Sequence, residues 1–385
     1  MPDIEGLLCA LLRGEQPVWP SGQDESVVSF LLERADYHGV LALLLGHLPR
    51  DPNDRNGWPN DVLQASHQRA LEQAMWELRH RAILQEVFSK LAAAGVRPVV
   101  FKGTALAYTL YPEGTLRSRG DTDFIIPPQT QDLVATTLAN LGFNRETGMS
   151  GESVSYQANF TRTESAGGSH TLDVHWRINN SELLSRMFSH EELLRHAQPV
   201  PELGPEALAA GPVHALLLAC MHRATHKHNP YYVDGVAHYS GDRLIWLYDI
   251  HLLAKSFTSA QWDEFLRLAA QKGLRSVCSE GLERARINFH TAIPGHVLVE
   301  LENSGQTEAI ARYFASGVFR QQWMDFCAIP GISHKLRFVA ETMLPPASYM
   351  RQKYPQEKPN WLPLLYLRRA TGGILKRLQR RGPSH

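Results

Sequence analysis

Asp121 and Asp123 stand two residues apart in Arg119-Gly-Asp-Thr-Asp-Phe-Ile-Ile, and a third acid, Asp173, lies in Leu172-Asp-Val-His-Trp. Side chains alternate across a strand, so the first two carboxylates share one face and Thr122 points to the other. The apolar run Phe124-Ile125-Ile126 carries that strand into a core. Two like charges on one face repel each other, and a shared cation removes the repulsion. If the Asp173 strand pairs alongside, three carboxylates converge. Such an oxygen set suits Mg2+ or Mn2+, with substrate phosphates completing the coordination. The chemistry expected is an in-line displacement at phosphorus, clamped by metal. A lone Asp-x-Asp is common on protein surfaces, so the weight rests on the joint pattern.

Lys102-Gly103-Thr104 joins a strand-like run, Val96 to Phe101, to a helix-like run, Ala105 to Tyr111. A helix N-terminus offers free N–H groups and the positive end of a dipole to an anion. Gly103 is expected to allow close backbone approach or a positive φ. Lys102, Thr104, Arg117 and Arg119 are candidates for phosphate contacts. The plainer reading is a glycine turn among solvated basic residues; no Walker A or GxGxxG pattern is present. His222 and His226 fall one turn apart on a helix, with His228 near its end. With His175, Asp242, Arg243 and Asp249 they are candidates to line the cleft. The alternative is a set of hydrogen-bonded histidines between helices, and for Asp249 a helix–helix salt bridge. A transition-metal site on the histidines lacks a second ligand pair in the sequence.

The elements needed to position these groups give an α+β reading. Residues 1–95 are expected to be helical, with a long helix from Asp61 to Ala94 amphipathic through Leu71, Met75, Leu78, Ile83, Leu84, Val87 and Leu91. Residues 96–180 form the small mixed-sheet core, with strands at Asp121–Ile126, Gln157–Thr163 and Thr171–Ile178 and a helix at Gln131–Leu141. Residues 181–345 return to a helical period, with helices at 213–226, 242–255, 260–272, 274–291 and 307–318. Residues 346–385 are a Pro-rich segment followed by a basic helix holding Arg368, Arg369, Lys376, Arg377, Arg380 and Arg381. Such a helix suits anionic lipid or an acidic partner; more commonly its charges form the solvated face of a docked helix.

The chain has 385 residues, 39 basic and 39 acidic. Zero net charge argues against a global grip on long duplex nucleic acid, leaving small molecules, protein side chains or a short RNA end as candidate acceptors. Cys9, Cys220, Cys278 and Cys327 are widely spaced with no CxxC pair, which argues against a zinc ribbon or a disulfide framework and points to reduced thiols in the cytoplasm. No stretch reads as a transmembrane helix.

Val99-Val-Phe-Lys-Gly-Thr-Ala-Leu-Ala, Arg119-Gly-Asp-Thr-Asp-Phe-Ile-Ile and Leu172-Asp-Val-His-Trp-Arg carry a resemblance, together with the helical segments His214 to His226, Arg243 to Ile250 and Pro345 to Arg351. They resemble a bacterial family of uncharacterised nucleotidyltransferases within the DNA polymerase β-like superfamily, over roughly residue 60 to the end. The resemblance implies a polymerase β-like core, with Gly103 and Thr104 in the Gly-Ser place and Thr as a mild departure. It implies that Asp121 and Asp123 bridge two metals and that Asp173 orients or deprotonates an acceptor hydroxyl. It implies transfer of a nucleoside monophosphate from an NTP, with pyrophosphate release. A non-catalytic nucleotide-binding scaffold is the competing expectation.

Overall fold

The computed structural model describes residues 3–20, 25–48, 57–146, 155–164, 168–227, 231–233, 236–238, 241–302, 308–354 and 361–379. Seven strands form one mixed sheet: β1 (Val99–Phe101), β2 (Asp121–Ile125), β3 (Asn144–Arg145), β4 (Gln157–Thr163), β5 (Ser169–His175), β6 (Gln198–Pro199) and β7 (Leu208–Ala209). Their order is β3-β4-β5-β2-β1-β7-β6. The pairing of β2 with β5 is parallel and sets Asp123 directly beside Asp173. On the other side β2 pairs antiparallel with β1, placing Phe101 opposite Asp123.

The helices are α1 (Ile4–Leu12), α2 (Glu25–Tyr37), α3 (Leu41–Leu44), α4 (Asn60–Ala93), α5 (Lys102–Thr109), α6 (Gln131–Asn140), α7 (Glu182–Ser185), α8 (His190–Arg195), α9 (Pro212–His226), α10 (Leu244–Ser256), α11 (Ser259–Lys272) and α12 (Arg275–Phe289). Beyond them come α13 (Gly295–Glu302), α14 (Ala309–Phe314), α15 (Val318–Ala328), α16 (Ile332–Met343), α17 (Ala347–Lys353) and α18 (Leu362–Gln379).

Strand alternation divides the sheet between two cores. Val100, Phe124, Leu172 and Val174 pack under α6 and the C-terminal half of α4. Val99, Phe101 and Ile125 face the opposite way, against α9 and the helices that follow. A third apolar cluster joins α1–α3 to the start of α10 and to Phe289. Asp121, Asp123, Asp173 and His175 share the parity of Ile125 and therefore lie on the α9 side, while Thr122 faces α4.

Two expectations need correction. On α4, Ile83, Leu84, Val87 and Leu91 are buried as expected, but Leu71, Met75 and Leu78 are 49%, 54% and 63% exposed. After Val62 in the first turn, the inward residues of that stretch are Ser66, Gln73, Glu77 and His80. Gln73 borders the cavity, while Glu77 and His80 meet Arg119 and Thr122, so this stretch of the helix turns a polar face inward. The helix expected at 307–318 is α14, which ends at Phe314, and Gly317 is the N-cap of α15. His228, most of the loop at 51–59, the residues 166–167 of a turn, and Arg380 and Arg381 lie outside the described residues.

Candidate active site

A cavity of about 750 Å³ opens over the acid-bearing face of the sheet. The sheet contributes Asp121, Asp123 and Asp173, the β1–α5 turn Lys102 and Gly103, and α9 and α10 the opposite wall with His222, His226, Trp246 and Asp249. Asp121 opens to the cavity, Asp123 is buried, and Asp173 is half-buried. Ligand atoms of Asp123, Asp173 and His175 all lie within 4.8 Å of one another, so one ion could touch all three. Oδ1 of Asp173 has no hydrogen-bond partner among the described residues. A divalent cation fits this donor set.

The carboxyls differ in their surroundings. Crowded protein walls, and then the charge of Asp123, push Asp121 up to about 6, although the residue faces the cavity. Burial, followed by repulsion from Asp123 and Asp121, pushes Asp173 up to about 8. For Asp123 burial also favours the neutral acid, but Lys102 and His175 outweigh it and hold the carboxyl well below the usual range. The Lys102 ammonium donates to Asp123 Oδ1 at 2.6 Å, and His175 Nε2 donates to the same oxygen at 2.9 Å. Burial works against the Lys102 charge, yet Asp123 leads the acids that raise its pKa above the ordinary lysine value. His175 is kept mainly neutral by burial and by Lys102, against the pull of Asp123. Its ring also meets Phe101 edge-on, 5.0 Å between centroids.

The β1–α5 turn has an unusual backbone. Lys102 adopts φ 58°, in the left-handed region that costs a side-chain-bearing residue free energy. The positive φ expected at Gly103 thus falls one residue earlier. A Cβ on Gly103 would meet Arg117 Nη1 at 3.6 Å and Arg119 Cβ at 3.7 Å, ordinary contact distances. The fold itself has room for alanine there, so a requirement for glycine would have to come from a bound ligand.

The two arginines before the acids are anchored. Arg117 Nε and Nη2 donate to the Asp249 carboxylate, the closest contact being 2.7 Å, and Tyr111 OH donates to the same group at 2.8 Å. Both partners are buried. Asp249 therefore ties α10 to the loop before β2; the expected helix–helix bridge is a helix–loop bridge. Arg119 donates through Nη2 to Glu77 on α4 at 2.7 Å, through Nε to Thr104 Oγ1 at 3.0 Å, and through Nη1 to the carbonyls of Gly114 and Arg117. Tyr108 OH also donates to Glu77. On the reverse side of β2, Thr122 Oγ1 is hydrogen-bonded with Thr104 Oγ1 at 2.9 Å and with His80 Nε2 at 2.6 Å. His80 in turn contacts His170 at 3.1 Å and stacks on Trp76. The Asp-Thr-Asp strand is thus gripped from behind by α4.

The His222 and His226 rings are 4.5 Å apart, and each packs on Trp246. Burial, then His226, lowers His222 well below its ordinary value; burial, then Lys102, brings His226 down to about 4. Both are neutral polar groups in the wall. Sequence reasoning missed Gln73 and Trp76 of α4, Gln157 of β4, and Trp246, all of which line the cavity. The signal for the first two was present: Gln73, Glu77 and His80 recur at helical spacing on the α4 face that turns inward.

The α+β fold thus sets carboxylates of adjacent strands beside a lysine at a helix start, over one cavity. A family model described as uncharacterised nucleotidyltransferase matches residues 24–290, and the chain belongs to that family. The match covers every site residue described above. No curated protein matches the chain.

Proposed function

We propose that this chain moves a nucleoside monophosphate from an NTP to a hydroxyl-bearing acceptor and releases pyrophosphate, on a core of polymerase β-like type. The observation that carries the reading is the parallel pairing that sets Asp123 beside Asp173, with Asp121 on the same face and Lys102 at the same cluster. Asp121, Asp123 and Asp173 are the residues to hold Mg2+ or Mn2+, and His175 fixes the rotamer of Asp123. A divalent ion bound there supplies charge neutralisation at the transferring phosphate. Lys102 and the first N–H groups of α5 bind and orient the phosphate chain. Asp173 orients the acceptor hydroxyl or takes its proton, from its position on β5 directly beside Asp123. Trp76 and Trp246 offer flat apolar surfaces, and His222, His226 and Gln157 offer hydrogen bonds, a wall suited to a small molecule, a sugar or a protein side chain.

The test is incubation of the purified chain with each NTP labelled at the α-phosphate, Mg2+ or Mn2+, and a cell extract as a source of acceptors. Label should pass to an extract component with one NTP preferred, and Asp173→Ala should abolish the transfer. Nucleotide binding without any transfer across all NTPs and both metals would instead identify a non-catalytic nucleotide-binding protein.

A further inference from the structure

Beyond the family match the chain turns apolar side chains outward. On α15, Phe319 and Trp323 are 58% and 63% exposed and stand one turn apart. On α16, Ile332, Leu336 and Met343 are 78%, 66% and 64% exposed and fall on one stripe of the helix. Neither helix buries a single residue among those described. Trp361 and Leu367, at the start of α18 and within it, continue the pattern. Isolated exposed apolar residues are ordinary, but a run of them along successive helices marks a surface that meets something.

Charge tells what that surface meets. Residues 318–385 contain twelve Lys and Arg against three Asp and Glu, a net +9, while residues 1–317 contain twenty-seven against thirty-six, a net −9. A chain of zero net charge is therefore strongly polarised. The basic residues are interleaved with the apolar stripe: Arg320 on α15, Lys335 and Arg337 on α16, Arg351 and Lys353 on α17, and Arg368 and Arg369 on α18.

We infer that the α15–α18 face docks on an anionic lipid surface. Its apolar stripes enter the boundary between headgroups and acyl chains, and its Lys and Arg meet the headgroup phosphates. The acidic body is repelled by the same surface, which orients the basic face towards it. No helix among the described residues is long and apolar enough to cross a membrane, so the contact lies on the surface. A second copy related by a twofold axis would set like charge against like charge. Nucleic acid would satisfy the charges but leave Ile332, Leu336 and Met343 in water. The inference stands on the exposed stripes and the charge distribution, and is independent of the proposed nucleotide chemistry.

The test is cosedimentation of the full chain with vesicles of phosphatidylcholine alone and of phosphatidylcholine mixed with phosphatidylglycerol. Each basic residue near an anionic surface adds substantially to binding, so pelleting with the mixed vesicles should exceed that with the neutral ones about tenfold. It should fall between about 0.1 M and about 1 M salt, as the screening length shrinks from about 10 Å to about 3 Å. Paired variants at exposed positions, Ile332→Ser with Leu336→Ser and Arg320→Glu with Arg351→Glu, should each lose about tenfold in vesicle binding while circular dichroism stays unchanged. Absence of pelleting with either lipid, or equal pelleting with both, overturns the inference. So does a dimer in light scattering that Ile332→Ser with Leu336→Ser dissolves, or binding of labelled RNA in place of vesicles.

Discussion

Lys102 carries two opposing demands in one residue. Its backbone is held at φ 58°, a conformation that costs a non-glycine residue about 1–2 kcal/mol. Its ammonium meets the buried Asp123 carboxylate at 2.6 Å. The ion pair gives a reason for a lysine where the backbone alone favours glycine. The two effects separate by substitution. Lys102→Gly and Lys102→Ala both remove the ammonium, but only glycine relieves the backbone. Lys102→Gly should therefore be the more stable variant by about 1 kcal/mol in urea unfolding, reversing the usual preference for alanine within a helix. An alanine variant as stable as the glycine one would show that the turn is unstrained. The chemical types of the site residues were readable from the chain, whereas this φ was not. A local sequence reports that a turn of Lys-Gly-Thr exists, but the pairing of β1 with β2 and the pull of Asp123 decide which residue bends.

At the scale of elements, the site depends on α4 and β2 being locked together. The side chain of Arg119, two residues before Asp121, is 2% exposed and pairs with that of Glu77 at 5%. Removing one partner of such a pair strands a buried charge, at a cost of roughly 3–5 kcal/mol. Glu77→Leu or Arg119→Met alone should destabilise the chain on that scale. The double variant should lose clearly less than the sum of the two, because neither charge is then left alone. Strict additivity in urea unfolding would mean that the pair is not coupled. The elements with a strong period were legible: Gln157–Thr163 is β4 as expected, and helices α9 to α12 begin and end within two residues of their expected bounds. The phase of α4 was not. Leu71, Met75 and Leu78 gave an apolar period that faces outward, because the inner side of that stretch carries Gln73 at the cleft and Glu77 and His80 against Arg119 and Thr122. The two-residue strands β3, β6 and β7 are too short to carry any period, and their pairing arises from the sheet around them. The convergence of Asp173 with the paired acids was conditional on strand order, a long-range property; the parallel β2–β5 pairing supplies it.

At the scale of the whole molecule, many histidines are buried as neutral rings. Burial leads the causes that lower His38, His80 and His251, the last to about 4. A lowered folded pKa means that the unfolded chain binds more protons between that value and the ordinary one near 6.5. Stability is therefore fully present above about pH 6.5 and is lost as the pH falls towards 4, by up to about 1.4 kcal/mol per pH unit for each such group. The urea midpoint should be lower at pH 5 than at pH 7, and an unchanged midpoint would contradict the neutral burial of these rings. The central claim concerns the carboxylates, and it is tested most directly by thermal unfolding of the intact chain with each NTP, in Mg2+ or Mn2+ and in EDTA. Asp123→Asn and Asp173→Asn are run in parallel, each compared with its own nucleotide-free state. A ligand at about a hundred times its dissociation constant stabilises the folded chain by about 2.7 kcal/mol. The account predicts that this stabilisation appears with one NTP and a divalent ion, disappears in EDTA, and is largely lost in both variants. Equal stabilisation with the divalent ion and with EDTA, in the wild-type chain and in the variants alike, would contradict it.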